Sequence, residues 1–340
     1  EYIPLETQDG FITMGWVHAI GKKVIIVRNR NRNTDGDIFI FDRNGKGLRK
    51  FNRKGQGSEE YIFNLSVFLD EDKGEIYVDE VIRNVLVYDL YGNFLRNIHR
   101  DKVKWINASN YNSDFLIARE SPSAQKGKDT DNQLFVLISK QNGNVVKDFR
   151  IYFEKKIEWG ITNHAGNTGA APRPYPIIPY HDGWLLMEPS SDTIFRISQD
   201  YSLSPFMART PSIQSMKPAV FLLPCIFTDR YHFMETITME ANLLRNEGFP
   251  KTQLVYDKKE NSLFEYTMLN NDFPEKGPVN FTMQETTNSE IAFWQKMEPH
   301  ELIEAYAKGQ LKGKLKDIAA ELQEDSNPVI MLVKYRKVTL

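Results

Sequence analysis

The sequence is almost free of cysteine: Cys225 is the only one in 340 residues, which excludes an intramolecular disulfide and any thiolate metal cluster. Set in the apolar run AVFLLPCIF at 219–227, that thiol reads as a core residue rather than a nucleophile. The same run is the longest apolar stretch. It is too short to cross a bilayer and contains Pro224, so no transmembrane segment is expected. Nor is one sign of charge in excess. Lys and Arg number 43 against 45 Asp and Glu, for a net charge of −2, which leaves no field to attract nucleic acid or an anionic membrane. Catalytic signatures are also missing: there is no G-x-S-x-G elbow, no P-loop, no H-E-x-x-H and no Gly-rich dinucleotide turn. The histidines His18, His99, His164, His181, His232 and His300 are scattered. Only His18, His164 and His181 can approach a common centre, and each reads first as a structural histidine. No catalytic residue, metal ligand or cofactor is assigned.

What the chain does have is a repeat. With 41% hydrophobic and 26% charged residues it can bury a large core, and one pattern recurs through it: alternating apolar residues, then Asp or Ser, then a tight turn. IFIFDRNG at 38–45 is matched by VLVYDLYG at 85–92, LFVLISKQNG at 134–143, IFRISQD at 194–200 and LVYDKKEN at 254–261. The anchors Asp42, Asp89, Ser139, Ser198 and Asp257 are spaced by 47, 50, 59 and 59 residues. That is room for four short strands and their loops. In the second copy these are Tyr61 to Leu69, Glu75 to Asp79, Val85 to Asp89 and Phe94 to Ile98. Four strands per repeat make a propeller blade.

A sixth, less regular copy draws on Phe281, Ile291 to Met297 and Val329 to Tyr335, and a helix interrupts it. Leu302, Ile303, Tyr306, Leu311, Leu315, Ile318 and Leu322 form a stripe at three- and four-residue spacing from about His300, with Pro299 suited to the first turn. This helical insertion, 299–323, is expected to pack on the outside or lower edge of the last blade. The N-terminal EYIPLE has no blade of its own and the sixth blade lacks a strand, so pairing the two closes the ring and removes its exposed edges. The expected fold is all-β: one six-bladed β-propeller domain over residues 1–340, with a helical insertion in the last blade and closure by the N-terminal strand. The early alternation of Tyr2, Ile3 and Leu5 reads as the start of a mature domain.

The N-terminal YIPLET strand, the GQGSEEY turn at 55–61 and the IYVDE…VLVYDLYGNFLR stretch at 76–96 resemble the NHL-like six-bladed propeller lipoproteins of Gram-negative gut anaerobes, a family largely without assigned function. The family's turn is G-x-G-P-x-E-Y; here Ser58 stands where it has Pro. The resemblance implies export to the periplasm or the outer-membrane surface and a lipid anchor upstream of Glu1.

Blade topology sorts the loops onto two faces. One face receives tight turns such as Gly21-Lys22, Asp70 to Gly74 and Asp182-Gly183. The other receives Asn29 to Gly36, Arg53 to Glu60, Glu120 to Asn132, Ile151 to Tyr175 and Ala208 to Pro218. Long loops on a rigid scaffold carry function, so a ligand is expected on that second face, at the channel mouth. The candidate binding residues there are Arg30, Arg32, Arg53, Gln56 and Glu59, with Arg83, His164, Arg173 and Tyr175. The arginines suit bidentate contact with carboxylates or phosphates, and Tyr175 or Trp159 suits stacking on a sugar. Asn31, Asn33, Asp35, Gly36 and Asp42 loosely follow a Ca²⁺-loop spacing, but Arg28, Arg30 and Arg32 oppose a cation and Asp42 is already the repeat anchor, so a plain hairpin loop is read. Three functions remain open. The first is a non-catalytic cell-envelope binding or scaffold protein for a glycan, peptide or protein partner. The second is a metal-dependent propeller hydrolase or lyase with its site at the central channel, and the third a purely structural interaction module.

Overall fold

The computed structural model describes residues 1–29, 36–62, 66–80, 84–100, 105–121, 131–157, 161–162, 168–170, 176–181, 183–240, 248–273, 277–282 and 288–336. Strand β1 is Tyr2–Pro4. Blade 1 is β2 (Trp16–Ile20), β3 (Val24–Arg28), β4 (Asp37–Asp42) and β5 (Gly47–Asn52); blade 2 is β6 (Ser66–Asp70), β7 (Glu75–Asp79), β8 (Asn84–Asp89) and β9 (Phe94–His99). Blade 3 is β10 (Trp105–Asn110), β11 (Phe115–Glu120), β12 (Asn132–Ser139) and β13 (Val145–Tyr152), followed by the hairpin β14 (Ile161–Thr162) and β15 (Thr168–Ala170). Blade 4 is β16 (Ile177–Tyr180), β17 (Gly183–Leu186), β18 (Thr193–Ile197) and β19 (Leu203–Ala208); blade 5 is β20 (Val220–Phe227), β21 (Tyr231–Thr238), β22 (Lys251–Asp257) and β23 (Ser262–Glu265). A second hairpin, β24 (Met268–Asn270) and β25 (Gly277–Val279), precedes blade 6. That blade has three strands in the order β1, β27 (Val329–Lys334), β26 (Ile291–Met297). The chain is thus the six-bladed propeller that its repeat predicts.

Each blade is covered on both sides by its neighbours, so its middle strands are apolar on both faces; β7 is buried from end to end. The buried apolar side chains of the described residues form six clusters, one at each blade-to-blade interface. Between blades 1 and 2, for example, Ile26 and Ile38 meet Val67 and Tyr88.

The anchor residues explain why the repeat is visible. The Asp42 carboxylate accepts from the backbone N–H of Asn44 at 2.8 Å and Lys46 at 2.9 Å, Asp89 does the same with Tyr91 and Asn93, and Asp257 with Lys259. Each closes the turn into the outermost strand. The turn glycines have a second duty. Gly45, Gly92 and Gly143 have positive φ, and a Cβ on them would fall 2.0 Å from the Pro4 carbonyl oxygen, 2.5 Å from the Phe51 ring and 2.5 Å from the His99 carbonyl oxygen. Phe51 and His99 belong to β5 and β9, the outermost strands of the preceding blades. Pro4 belongs to β1, so the N-terminal strand occupies the outermost place in blade 6, as the closure requires.

The helical insertion is two helices, not one. Helix α1 (Pro299–Ala307) has Pro299 in its first turn, and α2 (Gly313–Glu321) follows. Gly309, at φ +68°, ends α1, and the Gln310 N–H caps the Ala305 carbonyl at 2.8 Å. Apolar residues resume beyond this break, but the five-residue step from Tyr306 to Leu311 departs from the helical spacing and coincides with the break. Its buried residues Leu302, Leu311, Leu315 and Ala319 enter the cluster between blades 5 and 6, beside Cys225, Phe281 and Tyr2. Burial pushes the Cys225 thiol up, away from thiolate formation, with Glu235 adding to the effect.

Candidate functional site

The strands sort the loops as the repeat implies. Turns such as Glu71–Gly74 and 90–93 lie at one end of the sheets, and the strand ends that flank the long connections, such as those of β3 and β4 and of β11 and β12, lie at the other, as does 209–219. Of the nine candidate residues expected on the long-loop face, Arg30, Arg32, Arg83, His164, Arg173 and Tyr175 lie outside the described residues, as does Trp159.

The remaining three share one loop, and it is stitched to the scaffold. The Arg53 Nε donates to the Gly92 carbonyl at 2.8 Å, and its backbone N–H donates to the Tyr61 hydroxyl at 3.0 Å. The Gly55 N–H donates to the Tyr61 carbonyl at 3.1 Å and the Tyr61 N–H to the Arg53 carbonyl at 3.0 Å, the Tyr61 hydroxyl donates to the Gly36 carbonyl, and the Tyr88 hydroxyl donates to the Glu59 carbonyl at 2.7 Å. The Glu60 carboxylate accepts from the Gly57 N–H at 2.9 Å and holds the turn in which Ser58 replaces proline. The side chains of Gln56 and Glu59 are exposed. The motif that carries the resemblance therefore joins blades 1 and 2.

Charges recur on one rung of the second strands. Arg28, Asp79, Arg119 and Glu235 pair with Ile38, Val85, Phe135 and Gln253, each four residues before an anchor. All are internally engaged. The Arg28 Nε donates to His18 Nε2 at 2.5 Å, Arg100 pairs with Asp79 and lies 4.0 Å over the Trp105 ring, Arg119 donates to Asn107 at 3.0 Å, and Glu235 accepts from Lys251 and Gln253. Burial, with Arg28 beside it, lowers the His18 pKa to about 3.

A cavity lies at the opposite, short-turn end, between blades 2 and 3. Its volume is about 440 Å³. Lys73 and Glu75 from blade 2 form one wall with Arg96 of β9; Asp114, Phe115, Ser139, Lys140 and Gln141 from blade 3 form the other. Arg96 meets Glu75 as a fork, Nη1 to Oε1 at 2.7 Å and Nη2 to Oε2 at 2.8 Å, and its Nε donates to the Lys140 carbonyl at 3.0 Å. The Tyr77 hydroxyl donates to Glu75 Oε2 at 2.6 Å. Behind them, the buried Lys140 ammonium pairs with Asp70 and donates to Asn110 Oδ1 at 2.6 Å. Burial works to raise the Glu75 pKa, but the Arg96 and Tyr77 hydrogen bonds outweigh it and hold the carboxyl below its ordinary value. Burial lowers the Lys140 pKa, with Asp70 opposing.

None of these cavity residues is a candidate on sequence. The signal was present in part: Glu75, Tyr77 and Asp79 put polar groups into a strand that is buried throughout. Their cationic partners, however, are distant in sequence: Arg96 and Arg100 in and just after β9, and Lys140, 5.3 Å from the centre of the Tyr77 ring, in the next blade. Among the described residues no three His, Cys, Asp or Glu side chains converge as metal ligands do.

Comparison with known proteins agrees with the fold. A structure of a Bacteroides fragilis protein proposed to be exported matches at a TM-score of 0.66 with 16% identity, covering 99% of this chain and 95% of that one. A DUF4221-family structure from Bacteroides vulgatus matches at 0.46 with 10% identity over 80% and 89% of the two chains. The virginiamycin B lyase of Staphylococcus aureus matches at 0.38 with 11% identity over 78% and 88%. No curated protein sequence matches. Residues 1–334 match the domain of unknown function DUF4934, and the chain belongs to that family.

Proposed function

We propose that this protein is a non-catalytic binding or scaffold protein of the cell envelope, in the periplasm or at the outer-membrane surface, that holds a glycan, peptide or protein partner. The observation that carries this reading is the commitment of the buried acids. Of the seven among the described residues, Asp70 is held by Lys140, Glu75 by Arg96, Asp79 by Arg100, Glu188 by Lys156, Glu235 by Lys251 and Asp257 by Arg230, and Glu80 accepts from the Ile62 N–H at 2.7 Å. A buried carboxylate fixed by a cation is costly to strip of its partner. It is poorly placed to pass protons or collect an ion, which a hydrolase or lyase of this fold would ask of it. The arrangement suits a rigid frame that presents loops and clefts.

The envelope location draws support from the proposed export of the Bacteroides fragilis relative, and the lipid anchor implied by the family resemblance belongs to the same reading. The test is to fractionate cells producing the full-length protein and to screen the purified chain against glycan and peptide arrays. Envelope fractionation with saturable, turnover-free binding is expected. Turnover of an array ligand that depends on an added divalent metal would instead establish a propeller hydrolase or lyase.

A further inference from the structure

Resting on that binding role, we infer that the cavity between blades 2 and 3 is a subsite for one or two sugar residues of a neutral glycan, on the face away from the long loops. At about 440 Å³ it lies within the range of small-molecule sites, roughly 300–1,000 Å³. Its floor is fixed before any ligand arrives. Arg96 is tied through Nε to the Lys140 carbonyl and through both terminal nitrogens to Glu75, so little order has to be imposed on binding.

The residual valences of that fork decide the ligand class. The Nη1 of Arg96 gives one N–H to Glu75 Oε1 and keeps another; Oε1 accepts that one bond and keeps a lone pair. A donor thus stands next to an acceptor, and two adjacent hydroxyls, each able to give and take a hydrogen bond, satisfy both. Charge selects against an anion. The cations Lys73, Arg96 and Lys140 are matched by Asp70, Glu75 and Asp114 in the walls and just behind them, so a carboxylate or phosphate would meet as much repulsion as attraction. Phe115 borders the cavity, but its ring packs edge-on to Tyr201 of blade 4 at 6.3 Å, so recognition rests on the polar fork rather than on a stacking face.

The test is saturation-transfer NMR on the whole chain with glucose, galactose, N-acetylglucosamine, lactose and maltose as probes. The wild type is compared with a Lys73→Ala, Asp114→Ala, Gln141→Ala variant and with a Gln56→Ala, Glu59→Ala variant on the long-loop face. All five substituted side chains are exposed, and an unchanged melting temperature confirms folding. At least one probe is expected to bind, with Kd weakened about tenfold or more in the cavity variant and unchanged in the other. A signal lost only in the long-loop variant, or no transfer from any probe, overturns the subsite. If peptides bind where no sugar does, the subsite fails and the general binding role survives; if no glycan or peptide binds, both fail.

Discussion

At the scale of single residues, His232 shows what an uncompensated polar group does inside this fold. The ring is buried and neither nitrogen has a hydrogen-bond partner among the described residues. Phe206 stacks on it at 5.6 Å, Phe227 meets it edge-on at 4.8 Å, and Tyr256 lies 6.0 Å away. Burial, with Lys258 nearby, lowers its pKa to about 4. The native ring stays neutral where the unfolded chain takes up a proton, so between about 6.5 and about 4 the unfolded state binds more protons. Stability therefore falls as pH drops through that window. His18 acts in the same direction down to about 3. Replacing His232 with Leu removes the orphaned nitrogens and the titration. The expected result is a gain of about 1–3 kcal/mol at pH 7 that widens at pH 5, read as a rise in melting temperature. An unchanged or lower melting temperature at both pH values would show that the ring contributes more than it costs. Asp257 works on the acid side: the Arg230 hydrogen bonds pull it to about 2, so its stabilisation is full above its ordinary pKa and disappears as pH falls towards 2.

At the scale of elements, the turn glycines separate backbone strain from packing. Gly92 and Gly10 have nearly the same φ, +82° and +81°, but a Cβ on Gly92 would strike the Phe51 ring at 2.5 Å while one on Gly10 meets nothing within 4 Å. Gly10→Ala is expected to cost about 1–2 kcal/mol, the left-handed penalty alone. Gly92→Ala adds an overpacking term of about 1–3 kcal/mol. Chemical denaturation of the two variants measures the difference, and equal losses would show that blade 1 yields freely to blade 2. This element was legible in the sequence because anchor, turn and glycine are neighbours in the chain. The same reading merged two helices because it counted apolar residues across Gly309, although the nine residues from Leu302 to Leu311 put them about half a turn out of phase on one helix. The cavity was not legible for the opposite reason: Asp70 and Lys140 meet only because adjacent blades stack, and nothing local to either announces the pair. Of the residues expected at a site, Arg53 is the instructive one, an exposed loop arginine whose Nε is spent on the Gly92 carbonyl.

At the scale of the whole molecule, everything hangs on closure by a very short strand. Only Tyr2, Ile3 and Pro4 pair with β27, while the five other blades carry four strands each. Two features compensate. Tyr2, Ile3 and Leu5 are buried in the clusters on either side of blade 6, about 1.5–3 kcal/mol for each side chain, and the Tyr2 hydroxyl donates to Asp272 at 2.6 Å. The segment that follows is held by one buried side chain. Asn327 donates through Nδ2 to the carbonyls of Glu6 and Phe11 at 2.6 Å and accepts from the Thr13 N–H at 2.8 Å. Removing residues 1–5 forfeits a sum comparable with the whole stability of a typical domain, about 5–15 kcal/mol, and exposes the edge of β27. Aggregation or loss of cooperative unfolding is the expected result, seen by size-exclusion chromatography and thermal melting. Asn327→Ala is milder: β1 stays paired, but buried backbone groups lose their partners at about 1–3 kcal/mol each. It is expected to unfold several degrees lower yet still in one step, because each blade buries its faces only against the next. If the truncated chain instead melts cooperatively near the wild-type temperature, closure by β1 is dispensable and the packing of α1 and α2 between blades 5 and 6 holds the ring shut.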